Sequence, residues 1–184
     1  MRDRPAWPAF SLAYDRIDTK ITSTLARAGV PVLRTGLALV FLWFGLLKFF
    51  PGLSPAQDLA TRTIERLTFG VVKPDLALPI LAMWETLIGV ALLTGRFLRA
   101  TLLLLAIQML GTVTPLGLFP GEAFTSFPLA PTLEGQYIIK NIVLIGAAMV
   151  VGATVRGGRL VAEAEAARPS LPRSGRATKR SLPG

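Results

Sequence analysis

The strongest constraint in this sequence is an apolar run with a single carboxylate in its middle. Residues 76–94, LALPILAMWETLIGVALLT, carry no charge except Glu85. A helix rises about 1.5 Å per residue, so a run of this length crosses a hydrocarbon core of about 30 Å. A charge in mid-bilayer is costly unless it faces the protein interior and has a partner. The run therefore predicts a membrane-spanning helix whose Glu85 meets a polar side chain on another helix.

Three further apolar stretches, at residues 30–50, 97–115 and 137–155, are also long enough to span a membrane. The chain is 52% hydrophobic and 17% charged, with a mean hydropathy of +0.54, which is typical of a membrane domain. Only a very short connection, residues 96–99, separates the second stretch from the third, as in a tight antiparallel hairpin. The predicted fold is an all-α membrane protein with four transmembrane helices in an up-down bundle.

Short amphipathic helices are expected at the membrane interface. Before the first span, apolar residues recur every three or four positions from Tyr14 to Ala28, and residues 56–71 show a similar stripe. Residues 116–136 contain too much proline to span and are expected to cap the bundle. We therefore divide the chain into a cytoplasmic amphipathic lead-in (1–29), a membrane domain (30–158) and a basic, mostly disordered cytoplasmic tail (159–184).

The distribution of lysine and arginine predicts the orientation. Fourteen lie in the lead-in, in the loop between spans two and three, and after span four from Arg156 onward, against three between spans one and two. Cationic loops stay in the cytoplasm, so both termini are expected there. The net charge of +9 lies mostly beside apolar segments, which indicates anionic lipid head groups at the cytoplasmic face as the partner, and not nucleic acid.

The composition also limits the chemistry. The chain has no Cys and no His, which excludes thiol catalysis, thiolate-ligated metals and imidazole ligation of haem or copper. No glycine fingerprint for nucleotide binding is present. We therefore expect a non-catalytic protein without a metal or a bound cofactor. A quinone is the ligand that this composition still allows.

Counting residues inward from each end of the spans places five polar side chains in the same half of the bilayer as Glu85. Two interpretations of this cluster remain open. In the first, Glu85 and one lysine form an ion pair that only fixes the helix register. In the second, the cluster binds a small anion or a quinone, because two lysines outnumber one carboxylate. The five candidate residues that join Glu85 are Lys48, Gln108, Thr112, Lys140 and Asn141.

Three short motifs resemble the DoxX family and its YkgB-type relatives. They are RTGLALVFLWFGLLK at residues 34–48, WETLIG at 84–89 followed by LTGR at 93–96, and QYIIKN at 136–141. The resemblance covers residues 30–158 and implies a four-helix, multi-pass protein of the bacterial inner membrane. Some relatives are associated with redox systems, including a thiosulfate:quinone oxidoreductase and a membrane complex with superoxide dismutase and a thiol-handling partner. The resemblance thus implies an accessory or docking subunit with a redox protein partner.

The sequence leaves two other functions open. One is a small transporter or channel for protons or small anions, in which Glu85 titrates and a homo-oligomer forms the pore. Against it, the spans show no internal repeat and no pair broken by glycine or proline. The other is a structural membrane scaffold with no ligand.

Overall fold

The structure is a computed structural model that describes residues 9–50, 52–54 and 56–161. Contacts divide the chain into two units, residues 1–26 with 161–184, and residues 27–160. The described part of the first unit is helical over residues 9–26, and every member of its apolar stripe from Tyr14 to Leu25 is more than half exposed. The basic segment predicted at the C-terminus lies outside the described residues from position 162 onward.

Helices account for nearly all the regular structure in the described residues. One two-stranded antiparallel sheet interrupts them, with Phe124 opposite Pro131. The elements in chain order are α1 (Ala9–Leu47), α2 (Gln57–Leu67), α3 (Pro74–Thr94), α4 (Leu98–Val113), α5 (Pro115–Leu118), α6 (Pro120–Ala123), β1 (Phe124–Ser126), β2 (Ala130–Pro131) and α7 (Leu133–Ala153).

The prediction of an all-α protein with four spans is confirmed. Among the described residues, four segments are long and apolar enough to cross a membrane: residues 14–47, 74–94, 98–118 and 133–153. Their side chains therefore contact the lipid bilayer. We call the end of the second unit that contains the α3–α4 turn at Gly95 the turn end. The opposite end, which holds α2, α5, α6 and the β1–β2 hairpin, is the cap end.

The ends of α1 differ from the expected boundaries. The sequence suggested a lead-in helix and a separate span starting at Val30, but α1 is one helix with Pro31 inside it. An interior proline removes one backbone donor and crowds the carbonyl four residues earlier, but helices of membrane bundles tolerate this, and α1 continues on both sides of Pro31. At the other end, α1 stops at Leu47, and the backbone N–H groups of residues 48–50 each bond to a carbonyl three residues earlier. Lys48 therefore lies in a tightened turn that satisfies the last carbonyls of the helix.

The core of the second unit lies where the four spans meet. Two glycines allow α1 and α3 to approach closely: a Cβ atom at Gly89 would lie 2.6 Å from the backbone nitrogen of Leu42, and one at Gly45 would lie 2.8 Å from that of Thr86. Such small residues let helix backbones come together inside a membrane. The buried apolar side chains around this crossing are Leu37, Ala38, Phe41, Ile88, Leu92, Leu105, Met109, Ala147 and Val151.

The cap end is held by polar contacts as well as by packing. Arg62 of α2 donates from Nη1 and Nη2 to the two carboxylate oxygens of Glu122 in α6, with an Nη1–Oε1 distance of 2.8 Å. The same guanidinium lies 5.3 Å from the ring centre of Phe119. Residues 115–131 fold into two short helices and the hairpin, as expected for most of the segment 116–136, but its last four residues belong to α7, which begins at Leu133.

This contact predicts that acid loosens α2. The hydrogen bond from Arg62 holds the pKa of Glu122 below its ordinary value. A lowered pKa means that the contact stabilises the fold fully above the ordinary carboxyl pKa of about 4.3 and loses this effect as the pH falls through the lowered value. We expect the protection of the backbone amides of residues 57–67, that is, the intrinsic exchange rate at each pH divided by the observed rate, to fall at low pH in wild type. The Glu122→Gln variant should show lower protection already at neutral pH and little further change in acid, while the control Glu134→Gln should behave like wild type.

Equal acid sensitivity in wild type and Glu122→Gln would contradict this role for the pair.

Candidate ligand site between the membrane-spanning helices

Glu85 is the buried carboxylate on which the site is built. It lies in the middle of α3, and only 8% of its surface is exposed. The position follows from helix periodicity, because Glu85 shares its face with the fully buried Ile88 and Leu92. Its carboxylate therefore points between the helices and not toward lipid.

Lys48 supplies the partner charge, as the sequence suggested. Its Nζ donates to Oε2 of Glu85 at 2.6 Å and to the backbone carbonyl of Phe44 at 3.3 Å. About nine-tenths of each charged side chain is shielded. The approach depends on Gly45, because a Cβ atom there would lie 3.0 Å from the Cβ of Glu85. The glycine one turn before the lysine thus brings the end of α1 against the carboxylate.

Gln108 completes the cluster from α4. Its Nε2 donates to the second carboxylate oxygen of Glu85, Oε1, at 2.9 Å. Both oxygens of the carboxylate are therefore satisfied, one by a cation and one by an amide. Lys48, Glu85 and Gln108 link three elements of the membrane domain, and we call them the Lys–Glu–Gln cluster.

The other three predicted residues do not contact Glu85. Thr112 donates to the carbonyl of Gln108 within its own helix at 2.8 Å. The side chain of Lys140 is exposed, and its Nζ lies 5.4 Å from the ring centre of Tyr137, one turn earlier in α7. Asn141 is half-buried beside it. Depth along the helix axis was a correct criterion for Lys48 and Gln108, but it does not define the direction in which a side chain leaves the helix.

Two neighbouring side chains were missed by the sequence analysis. The indole Nε1 of Trp84 donates to the backbone carbonyl of Leu104 at 3.3 Å and fastens α3 to α4 beside the cluster. The hydroxyl of Thr86 is buried and has no hydrogen-bond partner within the described chain. Both residues flank Glu85 in the WETLIG motif, and this proximity was the signal that could have identified them.

The cluster retains hydrogen-bonding capacity for a ligand. A lysine ammonium has three N–H donors, and Lys48 uses two of them within the described chain. The amide of Gln108 uses one N–H, which leaves its second N–H and its carbonyl oxygen. Thr86 adds an unpaired hydroxyl next to Glu85. Among the described residues, no group of three His, Cys, Asp or Glu side chains could hold a metal ion.

Comparison with known proteins agrees with the resemblance seen in the motifs. The DoxX family model matches residues 29–117, a segment that includes all three residues of the Lys–Glu–Gln cluster and ends before α7. No curated protein and no solved structure matches the chain. Over residues 29–117, with Lys48, Glu85 and Gln108 among them, this chain is therefore similar to the DoxX family.

Proposed function

We propose that this integral membrane protein is a non-catalytic accessory or docking subunit of a membrane redox system, and that its Lys–Glu–Gln cluster binds the head group of a quinone. One observation carries the proposal. Three polar side chains from α1's end, α3 and α4 meet around a carboxylate that is 8% exposed, and they keep unused donors. Polar groups within a bilayer are costly, and they commonly mark a site of function.

The charge of the cluster favours a neutral ligand over a free anion. The sequence has two lysines and one carboxylate at this depth, but Lys140 lies against Tyr137, so one lysine faces one carboxylate. A balanced pair offers no net charge to an anion. A quinone head group is neutral, and each of its carbonyl oxygens accepts a hydrogen bond from a donor such as the free N–H of Lys48 or of Gln108.

An accessory role fits the residues that the chain contains. With no Cys and no His in the sequence, the chain has neither a thiol nor an imidazole for electron-transfer ligation, so electrons would pass through the quinone and a partner protein. We infer a bacterial inner-membrane location with both termini in the cytoplasm, supported by the excess of Lys and Arg in the lead-in, the α3–α4 turn and the tail. The turn end then faces the cytoplasm.

The proposal is tested by extracting the full-length protein gently from its own membrane and identifying co-purified small molecules by native mass spectrometry. Four proteins are compared: wild type, Gln108→Leu, the double variant Lys48→Met/Glu85→Leu, and Lys140→Ala as a control that removes a lysine from outside the cluster. Wild type and Lys140→Ala should carry a quinone. Gln108→Leu should retain about fivefold less, as expected for one lost hydrogen bond of about 1 kcal/mol, and the double variant should retain almost none.

Wild type that carries only bulk lipid would overturn the proposal. So would equal quinone retention in all four proteins. In either case the Lys–Glu–Gln cluster would be a structural ion pair that fixes the register of α1 and α3, and the protein would be a scaffold.

A further inference from the structure

We propose that a groove at the turn end, distant from the Lys–Glu–Gln cluster, binds the phosphate head group of an anionic phospholipid. The groove is formed by the α3–α4 turn, the first residues of α4 and the segment just beyond α7. Because it lies where α3 and α7 end and α4 begins, it is at the level of the lipid head groups. Its lining residues are Gly95, Phe97, Leu98, Arg99, Ala100 and Val155.

The charged side chains at the turn end of the second unit are all positive. Arg99 lines the groove itself, and further arginines stand beside its lining residues in the sequence or on α1. No Asp or Glu occurs in residues 27–50, 86–121 or 135–160, the segments that reach this end. By contrast, the cap end carries five acids among its cations. The arginines of the turn end are Arg34, Arg96, Arg99, Arg156 and Arg159.

Arg34 of α1 packs against Gly95, one of the lining residues. Gly95 ends α3 with a φ of +69°, a conformation that favours glycine. A Cβ atom at this position would lie 2.9 Å from Nη1 of Arg34 and 3.5 Å from its Cζ, so the guanidinium lies directly on the glycine. The Nε–H of Arg34 is buried and finds no hydrogen-bond partner in the described part of the chain. A buried guanidinium donor without an acceptor is the group that a phosphate oxygen would satisfy.

The start of α4 adds donors to the same groove. No side chain caps this sixteen-residue helix, and the first N–H groups of a helix have no partner within it. Residues 98–100 therefore present backbone donors beside the Arg99 side chain, and the helix dipole there favours a negative group.

The walls of the groove favour a lipid over free phosphate. Phe97 is 83% exposed, and Leu98 and Val155 lie next to it in the lining. An exposed aromatic ring beside a cationic site suits a molecule that has both a phosphate and acyl chains. Basic pockets between transmembrane helices bind anionic lipid head groups in this manner.

The test measures which phospholipid stays bound to the full-length protein. Protein is equilibrated in detergent micelles that contain equal amounts of dioleoyl-phosphatidylglycerol and dioleoyl-phosphatidylcholine, and retained lipid is counted by native mass spectrometry. Wild type should retain phosphatidylglycerol in preference to phosphatidylcholine. Arg99→Gln should reduce this retention about fivefold, the effect expected for one arginine near an anionic head group. The matched control, Arg66→Gln, removes an exposed arginine from α2 at the cap end and should stay within about twofold of wild type.

Two further comparisons distinguish a lipid site from a site for free phosphate and from general attraction to a basic surface. Excess inorganic phosphate should leave the bound phosphatidylglycerol in place; full displacement would show a site for free phosphate and overturn the proposal. An equal loss in Arg66→Gln and Arg99→Gln would show general surface attraction and would also overturn it, as would equal retention of the two lipids by wild type. If Arg99→Gln does not fold, Arg99→Met replaces it; this variant removes the charge but keeps a long side chain, and retention equal to wild type would contradict the proposal.

Discussion

Replacing Glu85 by leucine alone should destabilise the protein by about 3–5 kcal/mol, the usual cost of leaving one half of a buried ion pair without its partner. The Nζ of Lys48 would lose its 2.6 Å contact and keep only the carbonyl of Phe44, at 3.3 Å. Gln108 would lose its acceptor at the same time. An ammonium on a side chain that is about nine-tenths shielded, left without its counter-charge, is the most costly group that this substitution leaves behind.

Removing the lysine as well should reverse most of that loss. In Lys48→Met/Glu85→Leu, apolar side chains of similar length replace both charges, and such replacements of buried pairs are often neutral or stabilising. The measurement is the midpoint of denaturant-induced unfolding for wild type, Glu85→Leu, Lys48→Met and the double variant. Lys140→Met is the control, because it removes an exposed lysine that lies beside Tyr137 and outside the Lys–Glu–Gln cluster.

Additive losses in the double variant would contradict this account of the cluster. They would mean that each side chain stabilises the fold by contacts other than the pair itself. A stable double variant would also allow the quinone test to be interpreted, since a loss of ligand could then not be attributed to unfolding.

The four spans and the contact between Lys48 and Glu85 could be predicted because both follow from one large free-energy cost, that of leaving a group in a solvent that does not suit it. A run such as residues 76–94 has no stable position in water, and Glu85 inside it has no stable position without a partner. The depth of each polar residue along its helix then limited the candidate partners of Glu85 to a few residues. The structure confirms two contacts from that set, with Lys48 and with Gln108.

The remaining contacts depend on geometry that a single sequence does not define. Lys140 has the depth required to reach Glu85, but it leaves α7 in another direction and lies on Tyr137. The guanidinium of Arg34 lies on Gly95 at the turn end, a contact that the sequence does not define either. Both outcomes depend on the rotation of each helix about its axis, which the packing of all four spans decides together. Composition likewise predicted that residues 116–136 would not span, but it did not predict the β1–β2 pairing, nor that the fourth span would begin at Leu133.

The packing of α1 on α3 should be most sensitive at Gly89. A Cβ atom there would lie 2.6 Å from the backbone nitrogen of Leu42 and 2.8 Å from its Cα, and backbone atoms cannot rotate away as a side chain can. Gly89→Ala should therefore push the helices apart and destabilise the protein by about 1–3 kcal/mol, although alanine is the better helix former. Gly45→Ala should have a similar effect and should also disturb the ion pair, because its Cβ would meet Glu85 and Thr86.

The chain offers matched controls for these two substitutions. Gly36 of α1 and Gly146 of α7 have no atom within 4 Å of an added Cβ, so alanine at either position adds a methyl group without a clash. Thermal unfolding of the four variants in the same detergent should therefore show losses for Gly89→Ala and Gly45→Ala and no loss for Gly36→Ala and Gly146→Ala. Equal behaviour of all four would mean that α1 and α3 are not in close contact at these glycines. Lys48 would then have no fixed position beside Glu85, because the close approach at Gly45 is what brings the end of α1 to the carboxylate.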